Sequence, residues 1–249
     1  MPRGQQIMGH SALPDMHVRT ANRQHEHFRD PGKEMRRMER TSSVKKSVFI
    51  GMMGAVSTVL MLLNFSLPFV PGFLKFDISE LPALFAGFFL GPLSGCSVVT
   101  VKILLKVLMQ GSDTGYVGEL MNVMGSICFI LPASLLYRWK HTRQGAIIAM
   151  TVSTVLVSAA FIFINAYIAF PLYSKLYGMP MDAIISMGTA VNPMITDLPS
   201  LMLFSVFPFN LFKHGVTSFI TYLIYKRAGN TLRGIIAVPE PQFRNAEHF

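Results

Sequence analysis

This chain is poor in charge. Only 14% of its 249 residues are Asp, Glu, Lys or Arg, where an ordinary soluble domain has about 25%. It has two cysteines, Cys96 and Cys128, both inside apolar runs and at no ligand spacing. That excludes a disulfide framework and a Cys/His metal cage, and the pair reads as packing residues with free thiols. There is no G-x-x-x-x-G-K-[ST] loop, so ATP is not bound and hydrolysed by that route. HExxH and GxSxG are also missing, which leaves a membrane enzyme as a weak alternative. A chain with none of these that moves a solute uphill takes its energy from a partner or from an ion gradient. The opening MPRGQQIMGHSALPD has no apolar core, so no signal peptide is expected there.

Apolar residues are plentiful. They make up 51% of the chain, with 20 Phe and 17 Met, and the mean hydropathy is +0.43. The charges cluster and leave long apolar runs, so the fold class is an all-α integral membrane protein. The first run, SVFIGMMGAVSTVLMLLNF (47–65), has nineteen residues, enough to cross the hydrocarbon at about 1.5 Å each. The run 78–109 is too long for one span, and Gly91–Pro92 divides it into helices at about 79–90 and 92–110. Further spans are expected at 116–137, 145–172 and 200–225. These make six transmembrane helices, with both termini on one side of the membrane.

The 22 Lys and Arg place that side. Ten lie in the polar segment up to Lys46, three are Arg138, Lys140 and Arg143 between the fourth and fifth spans, and four follow the last span. These are the segments the positive-inside rule assigns to the cytoplasm of a bacterial-type cell membrane. The net charge of +9 then reflects a basic face beside anionic lipid, with no need for nucleic acid. The domain reading is a flexible basic tail over 1–45, a membrane domain over 46–227 and a second cytoplasmic tail over 228–249. His25 and His27 in the tail lack the further ligands a metal site needs and read as solvated.

Polar residues at membrane depth are functional candidates by default. Asp77 and Glu80, just before an apolar run, have the spacing of a capping box, with Pro82 in the first turn. Lys102 and Lys106 share a helix face and repel each other there. Glu119 and Asn122 offer them partners, and snorkelling of Lys106 to the interface is the alternative. Asn165 lies in the fifth span. Asn210 and Lys213 share a face of the sixth, near its start if Pro208 opens that helix. There they either line an outward pocket with Asn165, or Lys213 snorkels to the headgroups. Gly51-x-x-x-Ala55 and Gly54-x-x-x-Thr58 form a small-residue ridge on the first span, suited either to a partner helix or to packing within the bundle.

The stretch FLKFDISELPALFAGFFLGPLSG, the lysine-bearing span after it, VGELMN and PFNLFK…YLIYKR resemble the riboflavin-specific S components of the energy-coupling factor (ECF) vitamin transporters. The resemblance covers about residues 46–227. It implies a six-helix protein that captures riboflavin outside and docks on one transmembrane T subunit and two ATPase subunits, with no cofactor of its own. It maps ligand contacts onto Asn165, Asn210 and Lys213, and docking onto Gly51 and Ala55. Leu74, Phe76 and Asp77, on the loop before the second span, are expected to complete the ligand slot and its lid. Gly54 and Thr58 are expected to extend the docking ridge. One departure is Lys102-Ile103-Leu104-Leu105, where related sequences read K-N-L-L. Competing readings are an S component for another vitamin or flavin analogue, and a stand-alone channel or secondary transporter using Lys102, Glu119 and Lys213 as a relay.

Overall fold

The computed structural model describes residues 31–236, and helices dominate them. The chain divides into two units, Met1–Val44 and Lys45–Phe249. Helix α1 is Pro31–Leu62, so helical structure begins within the segment expected to be a tail. His25 and His27 lie outside the described residues. Helices α2 (Glu80–Leu90), α3 (Pro92–Gln110), α4 (Val117–Trp139) and α5 (Arg143–Ile164) follow in order. A π-helical turn, Asn165–Ala169, carries α5 directly into α6 (Phe170–Tyr177). Then come α7 (Met181–Thr189) and α8 (Leu198–Leu201), and a second π-helical turn, Met202–Val206, leads into α9 (Phe207–Ile236). Asp197 caps α8, and hydrogen bonds from the Ser200 side chain and backbone hold its carboxyl below the usual carboxylate range.

Among the described residues, four helices are long and apolar enough to cross a membrane: Thr41–Leu62, Pro92–Gln110, Val117–Trp139 and Arg143–Tyr177. With 11 residues, α2 is shorter. It is apolar nearly all round, and such a helix belongs inside a bundle. Eight of its residues are buried. It packs with α3, α4, α5 and Tyr225 of α9 around Leu84, Phe129, Ile130 and Val157. The break between α2 and α3 falls where Gly-Pro is expected to put it. Gly91 has φ 96°, a conformation other residues adopt only with strain, and Pro92 opens the next helix.

The last helix departs from expectation. Pro208 does not start it, because the chain is already helical from Leu198 onward. Proline lacks an N–H and collides with the carbonyl four residues back, so a regular helix does not absorb it. Here the π-helical turn widens the helix just ahead of it, and the Phe207 N–H bonds the Met202 carbonyl. The same device recurs at Phe170–Pro171, where the Phe170 N–H bonds the Asn165 carbonyl. A π turn ahead of proline is a known accommodation, common at functional sites.

The loop between α1 and α2 is folded rather than open. It carries a short antiparallel ladder, β1 (Phe65–Ser66) with β2 (Lys75–Phe76), pairing Phe65 with Phe76 and Ser66 with Lys75. Val70, Leu74 and Phe76 bury themselves with Phe209 of α9, which fixes the loop across that end of the bundle.

The small-residue ridge on α1 is split by the helix geometry. Gly54 and Thr58 turn inward. A Cβ at Gly54 would lie 2.4 Å from Val101 Cγ1, and the Thr58 hydroxyl donates to the Gly54 and Lys102 carbonyls at 2.8 and 3.3 Å. Both therefore serve α1–α3 packing, which corrects their expected part in partner docking. Gly51 and Ala55 face outward, with nothing within 4 Å of a Cβ placed on Gly51.

Candidate functional site

A cavity of about 450 Å³ opens beneath the α1–α2 loop, with walls from α1, α4, α5 and α9. Leu74, Asp77, Asn165, Asn210 and Lys213 all line it. Phe76, expected in the same slot, instead joins an aromatic cluster outside it, with ring centroids 5.4 Å from Phe65 and 5.6 Å from Phe212. Phe73, Phe161 and Phe209 supply apolar wall.

The lysines at membrane depth are buried and partnered, so snorkelling is not what accommodates them. Lys213 is 8% exposed, and its Nζ donates to Asp77 Oδ2 at 2.8 Å, with Glu80 Oε1 at 3.7 Å. Lys102 is fully buried and donates to Asn122 Oδ1 at 2.7 Å, Ser126 Oγ at 3.0 Å and Ser79 Oγ at 3.1 Å. Glu80 Oε1 lies 3.8 Å from Lys102 Nζ and accepts from the Ser126 hydroxyl at 3.2 Å. Lys106 pairs with Glu119 and donates to the Gly111 carbonyl at 2.8 Å, while Ser112 donates to the other Glu119 oxygen at 2.7 Å. Desolvated charges persist only when paired and hydrogen-bonded in this way.

This network corrects the capping-box expectation. Ser79 is the N-cap of α2 and makes no side-chain cap bond. Asp77 accepts from the Ser79 N–H at 2.9 Å with one oxygen and from Lys213 with the other. Glu80 turns toward Lys102 and Lys213. The two carboxylates hold lysines of α3 and α9, and so tie the loop to the bundle.

The asparagines are oriented by their own helices. Asn165 Nδ2 donates to the Phe161 carbonyl at 2.9 Å, and Asn210 Nδ2 to the Val206 carbonyl at 2.8 Å. No described residue bonds either amide oxygen. Each side chain therefore keeps an acceptor and one N–H for whatever enters the cavity. Each also lies beside a π-helical turn, Asn165 opening one and Asn210 bonded to the last residue of the other. The sequence reading missed His214. It is buried, lines the cavity and packs its ring 4.7 Å from Phe129. It lies four residues after Asn210, on the same helix face, and that spacing is the signal that could have found it. Among the described residues no three His, Cys, Asp or Glu gather as metal ligands.

A cavity inside a helical membrane bundle, with an aromatic wall, many polar side chains and a tethered loop over it, defines a membrane-embedded binding protein for a small solute. Residues 45–225 match the family model "ECF transporter, substrate-specific component", and the chain belongs to this family. It is a substrate-binding transporter component of the membrane. Among its relatives, the protein called riboflavin transporter FmnP of Bacillus subtilis (strain 168) is 31% identical over 183 residues, covering 73% of this chain and 90% of that one. The riboflavin transporter RibU of Staphylococcus aureus (strain TCH60) is 29% identical over 191 residues, covering 77% and 94%. A solved structure described as "Structure and mechanism of the S component of a bacterial ECF transporter" superposes with a TM-score of 0.61 at 28% identity, over 77% of this chain and 99% of that one.

Proposed function

We propose that this chain captures riboflavin as cargo, not as a cofactor, and passes it through an ATP-driven partner module. The observation that carries the reading is the convergence of Asn165, Asn210 and Lys213 on one cavity of about 450 Å³ walled by Phe73, Phe161 and Phe209. Riboflavin presents an apolar tricycle, an imide edge with donors and acceptors, and a hydroxylated chain. The aromatic wall suits the ring system. The free amide groups of Asn165 and Asn210 suit the imide edge. Lys213 has three N–H donors and spends one on Asp77, which leaves donors for a carbonyl or a hydroxyl. Leu74 on the tethered loop covers the ligand.

In this reading the membrane domain, 46–227, has six spans, with α2 and α9 completing the set, and both tails are cytoplasmic. The cavity then faces outward. One T subunit and two ATPase subunits form the partner module, and the T subunit meets Gly51 and Ala55, where α1 leaves a flat outward strip between the exposed Met52 and Val56.

Titration of the purified protein with riboflavin tests the ligand. Quenching of flavin fluorescence at one site per chain, without competition from vitamins that lack the tricycle, is the expected result. No quenching, or equal displacement by an unrelated vitamin, overturns it. Vesicles holding this chain alone are expected to bind riboflavin and not to concentrate it.

A further inference from the structure

A second concavity, of about 330 Å³, lies at the other end of these helices, lined by Lys46 of α1, the α2–α3 break and Arg138 and His141 at the end of α4. Its polar side chains are all basic, and no carboxylate lines it. None of the three makes an ion pair among the described residues. In this they differ from the buried lysines Lys102, Lys106 and Lys213, each of which has its own carboxylate or amide. The floor is apolar, made by Phe88, Phe89, Leu90 and Pro92, and Leu93 stands 78% exposed at its edge. His141 lies edge-on to Tyr137, 5.3 Å between ring centroids, which holds it at the rim. Trp139, 83% exposed beside Arg138, is the kind of residue that settles at headgroup level. Gly91 adds no side chain, and a Cβ there would meet nothing within 4 Å.

We propose that this pocket holds the headgroup of one anionic phospholipid, with the phosphate between Lys46, Arg138 and His141 and an acyl chain running along Leu90 and Leu93. Two features favour a lipid over a free anion. The cations converge at the membrane boundary, where phosphodiesters are concentrated, and the rest of the pocket is apolar and opens onto a lipid-exposed leucine. Arginine suits the phosphate because its fork presents paired donors. A scattered basic face would attract the leaflet as a whole. Two cations and an imidazole around one concavity select a single molecule. The inference does not depend on what the larger cavity binds.

Native mass spectrometry of the full chain, released from micelles doped with dioleoylphosphatidylglycerol or dioleoylphosphatidylcholine, tests it. Wild type is expected to retain one phosphatidylglycerol and at least fivefold less phosphatidylcholine. The Lys46→Gln/Arg138→Gln variant is expected to lose that preference while keeping its thermal midpoint in neutral micelles and its riboflavin titration. Leu93→Asn is expected to weaken retention with Lys46, Arg138 and His141 all in place. Equal retention of the two lipids by wild type, or an unchanged preference in the double variant, overturns the proposal. Displacement of the lipid by millimolar inorganic phosphate also overturns it, because the pocket is then a free-anion site. Protection of Arg138 from chemical modification only in the presence of partner subunits overturns it in favour of a protein contact.

Discussion

Lys213 does two jobs that can be separated. Its ion pair with Asp77 fastens the α1–α2 loop to α9, and its remaining donors face the cavity. Lys213→Met strands a buried carboxylate, a change that costs about 3–5 kcal/mol, so thermal unfolding is expected well below that of wild type. Adding Asp77→Leu removes the stranded charge, and the double variant is expected to recover more stability than the two single effects would add up to. Riboflavin affinity is expected to stay low in the double variant. Recovery of both together would make Lys213 a fastener and nothing more. Asn210→Ala leaves that pair intact and is expected to weaken riboflavin binding by about 1–3 kcal/mol, the cost of leaving a buried polar ligand group unpaired. Titration calorimetry reads it directly. A lysine amid phenylalanines announces itself in a sequence, and so do two asparagines in apolar spans. Their partner does not: Asp77 lies 136 positions from Lys213, and its spacing to Glu80 imitates a helix cap. Local pattern has no access to a pairing made only by the fold.

At the level of elements, α1 presents two faces that the sequence could not tell apart. Gly54→Leu is expected to force α1 from α3, because Val101 already occupies that space, and to lower stability and riboflavin binding together. Gly51→Leu projects into open space. It is expected to leave binding intact and to prevent assembly with the T subunit, as read by co-purification. Full assembly of Gly51→Leu would move the docking strip elsewhere. The alternation of small residues is legible in sequence, but the rotation that sends one pair inward depends on where α3 lies. The helix ends show the same limit. Gly91–Pro92 broke the chain where expected, since a positive φ and an N1 proline act locally. Pro208 did not, since the π-helical turn before it repairs what proline disrupts. Pro171 and Pro208 each follow phenylalanine and a π turn, a repeat visible only once both helices are seen.

Across the whole molecule the membrane class was legible from composition alone, because apolar runs without water-facing charge have few other solutions. The span boundaries were legible unevenly: α2 ends at Gly91–Pro92 as expected, whereas α1 begins at Pro31 rather than at 47. Among the described residues, the buried ionic groups at membrane depth are three carboxylates, Asp77, Glu80 and Glu119, and three amines, Lys102, Lys106 and Lys213. Their formal charges cancel. An uncancelled charge crossing the field would cost or gain about 2.3 kcal/mol per 100 mV. Moved together through the membrane field with an uncharged vitamin, these six buried groups carry no net charge. Riboflavin uptake by the reconstituted complex is therefore expected to be indifferent to an imposed voltage, whereas Asp77→Asn, with one amine left over, should make the rate follow the sign of the potential.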